Sequence, residues 1–203
     1  MSPSTAEGTM RRLLILVPCL VVAPLAAQTE APAPTDAQLI ASAILPLPEE
    51  FRDGATVLGW LGPNRTKVLR KGEGRMICLA DEPSPNFHVA CYHDSLEPFM
   101  ARGRQLRASG MSSQDASTKR NEEVDAGRLP MPMRAALWSL SGPPGSWNPA
   151  TNALSDSVRA LYVVYIPGAS GASTGLPERP AAGVPWVMFP GTPRAHIMFI
   201  PEM

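Results

Sequence analysis

Apolar positions in this chain come in short blocks of five to seven residues more often than in long helical stripes. Blocks at 55–61, 66–70, 75–80 and 87–92 are separated by Gly62-Pro63-Asn64-Arg65, by Gly72-Glu73-Gly74 and by a proline-rich loop over 81–86. Short runs punctuated by residues with positive or fixed φ predict strands joined by turns, here an antiparallel meander of four. The pattern resumes at 134–140, 161–166, 186–189 and 195–200. The last two blocks form a hairpin around Pro190-Gly191-Thr192-Pro193.

Two stretches have helical spacing instead. Asp36 is a candidate N-cap for a helix through Ile44 that carries Leu39, Ile40 and Ile44 on one stripe and stops at Pro46 and Pro48. Asp94 or Ser95 opens a second helix over 95–109, with Glu97 completing a capping box, and Gly110 ends it. Leu96, Phe99, Met100 and Leu106 share one side of that helix, and Gly103 lies between them where another group could approach closely. The segment 111–130 is polar, with Ala116, Val124 and Ala126 alone to bury in its first part, and reads as an insertion that is either a marginal helix or a surface loop. A loop of glycine, alanine, serine and proline spans 167–183. Helices segregated from strands rather than alternating with them predict an α+β fold. Its antiparallel sheet comes from the short-strand meander and the C-terminal strand group, with one or two helices packed on it, in a single domain over 36–203.

The N-terminus has a different pattern. Arg11 and Arg12 precede an uncharged apolar run over 13–27 that ends in Leu25, Ala26 and Ala27, as a secretory signal peptide does. With Pro18 and Pro24 inside it, the run is too short for the roughly 20 residues of a bilayer span. Cleavage is expected after Ala27, leaving 28–35 as a flexible tether; Met10 is an alternative start to Met1. Pro18 before Cys19 argues against lipidation there. Cys19 leaves with the signal, and the remaining pair, Cys78 and Cys91, in an exported chain predicts a disulfide. If the third and fourth strands pair, the two cysteines face each other and close a loop of about 14 residues, stabilising the fold by about 3 kcal/mol.

Eighteen Lys and Arg balance eighteen Asp and Glu, which excludes a broadly basic nucleic-acid binder. A hydrophobic content of 44% excludes a wholly disordered chain. The 23 prolines, about twice the ordinary usage of roughly 5%, mark a loop-rich protein.

Candidate chemistry is sparse. His93, Asp94 and His196 would offer imidazole and carboxylate ligands to zinc or iron if the last strand lies nearby, although no HxH or HExxH spacing accompanies them. Arg102, Arg104 and Arg107 are either a face for an anionic ligand or a solvated helix surface. Gly171-Ala172-Ser173-Thr174-Gly175 matches GxSxG, with Glu178 and His196 following. A nucleophile elbow must open into a helix, however, and Pro177 and Pro180 follow in a stretch without helical periodicity. The four tryptophans line either the core or a ligand groove.

The segment from Cys78 to Gly110, with its Cys-Tyr-His-Asp-Ser-Leu-Glu-Pro-Phe-Met-Ala-Arg-Gly-Arg run, resembles uncharacterised exported bacterial proteins, as does the ending 195–201. The resemblance covers about a third of the chain and implies export, with no activity to carry over. It draws attention to Cys91, His93, Phe99, Arg102 and Gly103. The expected function is therefore that of an exported envelope domain, periplasmic or extracellular. Its role is binding or structural rather than enzymatic, without a cofactor, stable transmembrane helix or nucleic-acid partner, and its partner is a small molecule or an envelope protein. The alternative is a metal-binding protein or metal-dependent enzyme using His93 and His196. Apposition to a membrane through the arginine helix is a third.

Overall fold

Strands and helices succeed one another in the computed structural model, which describes residues 32–62, 64–180 and 183–201, largely where the hydrophobic pattern places them. The order is α1 (Asp36–Ala43), α2 (Glu49–Arg52), β1 (Thr56–Trp60), β2 (Thr66–Arg70), β3 (Met76–Leu79) and β4 (Phe87–His93). A 3-10 turn (Asp94–Leu96) then leads into α3 (Glu97–Ala108) and α4 (Ser113–Asp125). The rest is β5 (Ala135–Gly142), β6 (Trp147–Asn148), β7 (Ala153–Leu154), β8 (Arg159–Tyr165), α5 (Gly171–Thr174), β9 (Trp186–Met188) and β10 (His196–Phe199). The expected signal peptide lies outside the described residues. The described residues from Ala33 onward belong to one compact unit.

Eight strands form one mostly antiparallel sheet in the order β2-β1-β3-β4-β5-β8-β10-β9, so the fold is α+β. The strand order departs from a simple meander. β1 lies between β2 and β3 and runs parallel to β3, because the short link from β2 crosses the start of β1 instead of turning back beside β2. Two glycines make that crossing feasible. The Gly72 amide donates to the Thr56 hydroxyl at 3.1 Å and the Gly74 amide to the Gly54 carbonyl at 2.8 Å. A Cβ on Gly72 would lie 2.1 Å from the Gly54 carbonyl oxygen, far inside contact distance.

Pairing register sorts side chains onto two faces, because residues directly opposite each other share a face and neighbours along a strand do not. One row runs Val57, Cys78, Cys91, Trp138, Tyr162, Phe199. The row beside it, on the other face, runs Ile77, Tyr92, Leu137, Val163, Met198, Trp186. Cys78 and Cys91 are opposite each other, with Cα atoms 4.0 Å apart, and form the expected disulfide. α1 covers the first face there, its Ala43 packing with Leu47, Val57 and both cysteines. The β6–β7 hairpin covers more of that face, stacking Trp147 on Phe87 at 5.8 Å between ring centroids. The second face receives the α3 side, with Leu96 and Met100 in one cluster with Tyr92, Leu137 and Tyr165.

Helix starts differ from the expected ones. Thr35, not Asp36, caps α1, and Gln38 answers it in a capping box. At the second helix, His93 Nδ1 accepts from the Ser95 amide, Asp94 turns to Arg75, and Glu97 turns inward instead of back to Asp94. The polar insertion folds for most of its length. α4 starts from a Ser112 cap, buries Ala116 and Val124, and is fastened to α3 where Arg102 Nε and Nη2 donate to Glu123 at 2.7 and 2.6 Å.

Candidate functional site

The first face is covered at both ends and open between them. Toward one end lies α1 with its core; toward the other, Ile166, Ala169, Leu176 and Ala195 pack on Val187 and Ile197. The gap is an apolar trough of about 490 Å³, within the size range of small-molecule sites. Met76 opposite His93 and Ala136 opposite Val164 contribute from β3, β4, β5 and β8. Ala136 carries too little side chain to fill the space. Trp138 and Phe51 of α2 form a wall, their rings 6.3 Å apart. Phe51 and Val164 remain 44% and 40% exposed, so apolar surface here meets solvent.

A few polar groups border this trough. Arg75 grips Asp94 through Nε (3.0 Å) and Nη2 (2.7 Å), and those hydrogen bonds hold the Asp94 carboxyl below its usual range. Arg134 also borders the trough, is exposed, and has no ion pair among the described residues. The Ser95 amide donates to His93 Nδ1 at 3.3 Å, so the proton of a neutral His93 sits on Nε2 and makes that nitrogen a donor. The arrangement can hold an apolar body and offer donors and positive charge to an anionic head.

The residues singled out from the sequence separate. His93 and Asp94 stay together, with Nδ1 3.3 Å from Oδ1. His196 does not join them. It is on β10, with β5 and β8 between it and β4. Pairing with Tyr165 puts it on the face shared by Tyr92 and Leu137, opposite to His93. No group of three His, Cys, Asp or Glu that could hold a metal occurs among the described residues.

The three arginines of α3 also have internal partners. Arg102 holds Glu123. Arg104, only 7% exposed, donates to Glu97 at 2.6 Å and to the Tyr92 hydroxyl at 3.0 Å. Arg107 Nε donates to Asn64 Oδ1 at 2.7 Å. They form neither a free anionic-ligand face nor a simply solvated one. Tyr92 in turn donates to Glu97 at 2.6 Å, and burial pushes its hydroxyl well above the usual phenol range.

One helical turn, α5, interrupts the expected loop at the GxSxG segment, but it ends at Gly175 and the serine does not open into a longer helix. Ser170 caps the turn, Ser173 answers in a capping box by accepting from the Ser170 amide at 2.9 Å, and Glu178 accepts from the Gly171 amide at 2.7 Å. Glu178 is thereby engaged with the helix start, and His196 Nδ1 lies 2.8 Å from the Arg194 carbonyl oxygen.

Sequence reasoning missed Phe51 and Arg134 because each lies outside the predicted elements or at the end of one. It noted Trp138 only as one of four tryptophans. Trp147 and Trp186 are buried, whereas Trp138 borders the trough. No family model, curated protein or solved structure matches the chain.

Proposed function

We propose that this chain is an exported, non-enzymatic binding domain that holds a small amphipathic anion, an apolar tail with a carboxylate head, in the trough on the first face. The observation that carries the reading is the trough itself: exposed aromatic and aliphatic side chains on a rigid sheet, bordered by Arg134 and His93. Charge complementarity selects the head group, since Asp94 is already neutralised by Arg75 while Arg134 is not paired among the described residues. The disulfide supports residence in an oxidising compartment, and no helix among the described residues is long and apolar enough to cross a membrane. The signal-like N-terminus and the resemblance of 78–110 to exported bacterial proteins point the same way, to the periplasm or beyond.

Decanoate titrated against the purified protein tests the binding reading through tryptophan fluorescence. A saturable change is expected, lost in Trp138→Phe and in Val164→Arg and weakened about tenfold, or 1.4 kcal/mol, in Arg134→Gln. Equal binding by Val164→Arg would refute it. Fractionation of cells expressing the full chain tests export. The expected product begins at Gln28 and is oxidised at both remaining cysteines; an unprocessed chain retained in the cytoplasm overturns the localisation.

A further inference from the structure

The second face holds a different cavity. α4 packs against α3, and Gly103 of α3 lets the Arg120 side chain come in: a Cβ there would sit 2.8 Å from Arg120 Nη1. The Arg120 guanidinium lies 3.8 Å above the centre of the Phe99 ring. Its Nη1 makes a long 3.4 Å bond to the Phe99 carbonyl, and its buried Nε has no hydrogen-bond partner among the described residues. This contrasts with its neighbours. Arg102 has Glu123, Arg104 has Glu97 and Arg194 has Asp125, whereas Arg120 has no carboxylate among the described residues. Even a half-buried cation such as Arg120 ordinarily has a partner, because removing charge from water is costly. Burial accordingly pushes the Arg120 guanidinium below its usual range.

Arg120 borders a cavity of about 130 Å³ together with Ser117, Asn121, Tyr165, Arg194 and His196. Ser117, Asn121 and Tyr165 can donate hydrogen bonds into it, as can the Arg120 guanidinium; a neutral His196 spends its proton on the Arg194 carbonyl, 2.8 Å from Nδ1. Asp125, the one carboxylate paired there, is occupied by Arg194 through both oxygens at 3.0 Å. The volume admits several waters, hence a compact anion but no larger body.

We propose that this cavity between α4 and the β8–β10 end of the sheet is a binding site for a small oxyanion of the phosphate or sulfate class, with Arg120 as its principal charge. The site is independent of the trough, which lies on the other face. Arg120 supplies charge-assisted donors, the kind that bind oxyanions most strongly. Arg194, already paired with Asp125 through Nε and Nη2, can add only its Nη1. Asn121 and Ser117 lie on successive turns of α4 and add neutral donors from one side.

Thermal melting of the full protein in sodium phosphate against sodium chloride at equal ionic strength tests the proposal, with inorganic phosphate as the probe. The melting temperature is expected to rise with phosphate by mass action. The rise should disappear in Arg120→Gln and persist in Arg134→Gln, which alters only the trough. Calorimetric titration should show at least a tenfold loss of phosphate affinity in Arg120→Gln. Coincident melting curves in the two salts, or an undiminished response in Arg120→Gln, overturn the site. Should Arg120→Gln fail to fold, Asn121→Asp carries the test, since it supplies the missing carboxylate from within the chain. That variant is expected to melt above wild type and to ignore phosphate; melting below wild type with the response intact overturns the proposal.

Discussion

Asp81 shows how a single carboxylate makes this fold sensitive to pH. Its Oδ1 accepts from the His88 amide at 2.8 Å, and burial nevertheless pushes it up to about 6. A carboxyl raised above its unfolded value of about 3.9 lends stability that is complete below that value. This stability is lost as the pH climbs through the folded value. Asp81→Asn keeps an acceptor for His88 and removes the charge. It is expected to be more stable than wild type at pH 7 by on the order of 1 kcal/mol, discounted for partial solvent access, and equal at pH 3.5. Urea unfolding at the two pH values checks this, and identical curves at pH 7 would mean that Asp81 is fully solvated. The same scale explains why the arginines of α3 misled the sequence argument. Glu97 and Arg104 are seven residues apart and so share a helix face, but nothing local announces that Tyr92 on the preceding strand joins them. A partner across an element boundary turns a presumed surface cation into a buried one.

Glycines govern how elements approach each other, and two of them should respond to substitution in opposite ways. Gly72→Ala would drive its Cβ into the Gly54 carbonyl, which is backbone, and is expected to cost about 3 kcal/mol, the upper end of ordinary overpacking. Gly103→Ala meets only the end of the Arg120 side chain, which can swing away, and alanine favours the helix by about 1 kcal/mol. Its net effect is expected to stay within about 1 kcal/mol, measured by the same unfolding curves. Element positions were legible because alternation and turn residues are local signals, and β2 falls at 66–70 as the pattern places it. Strand order was not, because the crossing beneath β1 depends on contacts between residues some 18 apart, such as Gly54 and Gly72. α4 was only half legible. Its surface is polar, and the groups that fix it, Arg120 over Phe99 and Glu123 on Arg102, belong to a helix-to-helix contact. The trough had no signature at all, being a gap between two covers rather than a motif.

At the scale of the whole molecule, the sheet protects its edges simply. β2 carries Lys67 and Arg70, and β9 is three residues long, both devices that discourage pairing with another chain. The disulfide sits well inside the sheet, joining β3 and β4. Cys78→Ser with Cys91→Ser is expected to lower stability by about 3 kcal/mol, or about 6–12 °C in melting temperature for a domain of this size. Calorimetry with and without reductant on the wild type should reproduce the drop, and an unchanged melting temperature would assign the bond no structural role. The pair also encloses the loop over 81–86, whose residues 83–86 are exposed and include Pro83 and Pro85. A protease that cuts within that loop therefore severs the backbone without releasing a fragment. The nicked protein migrates as one covalent species and falls into two pieces only when the sulfur bridge is reduced.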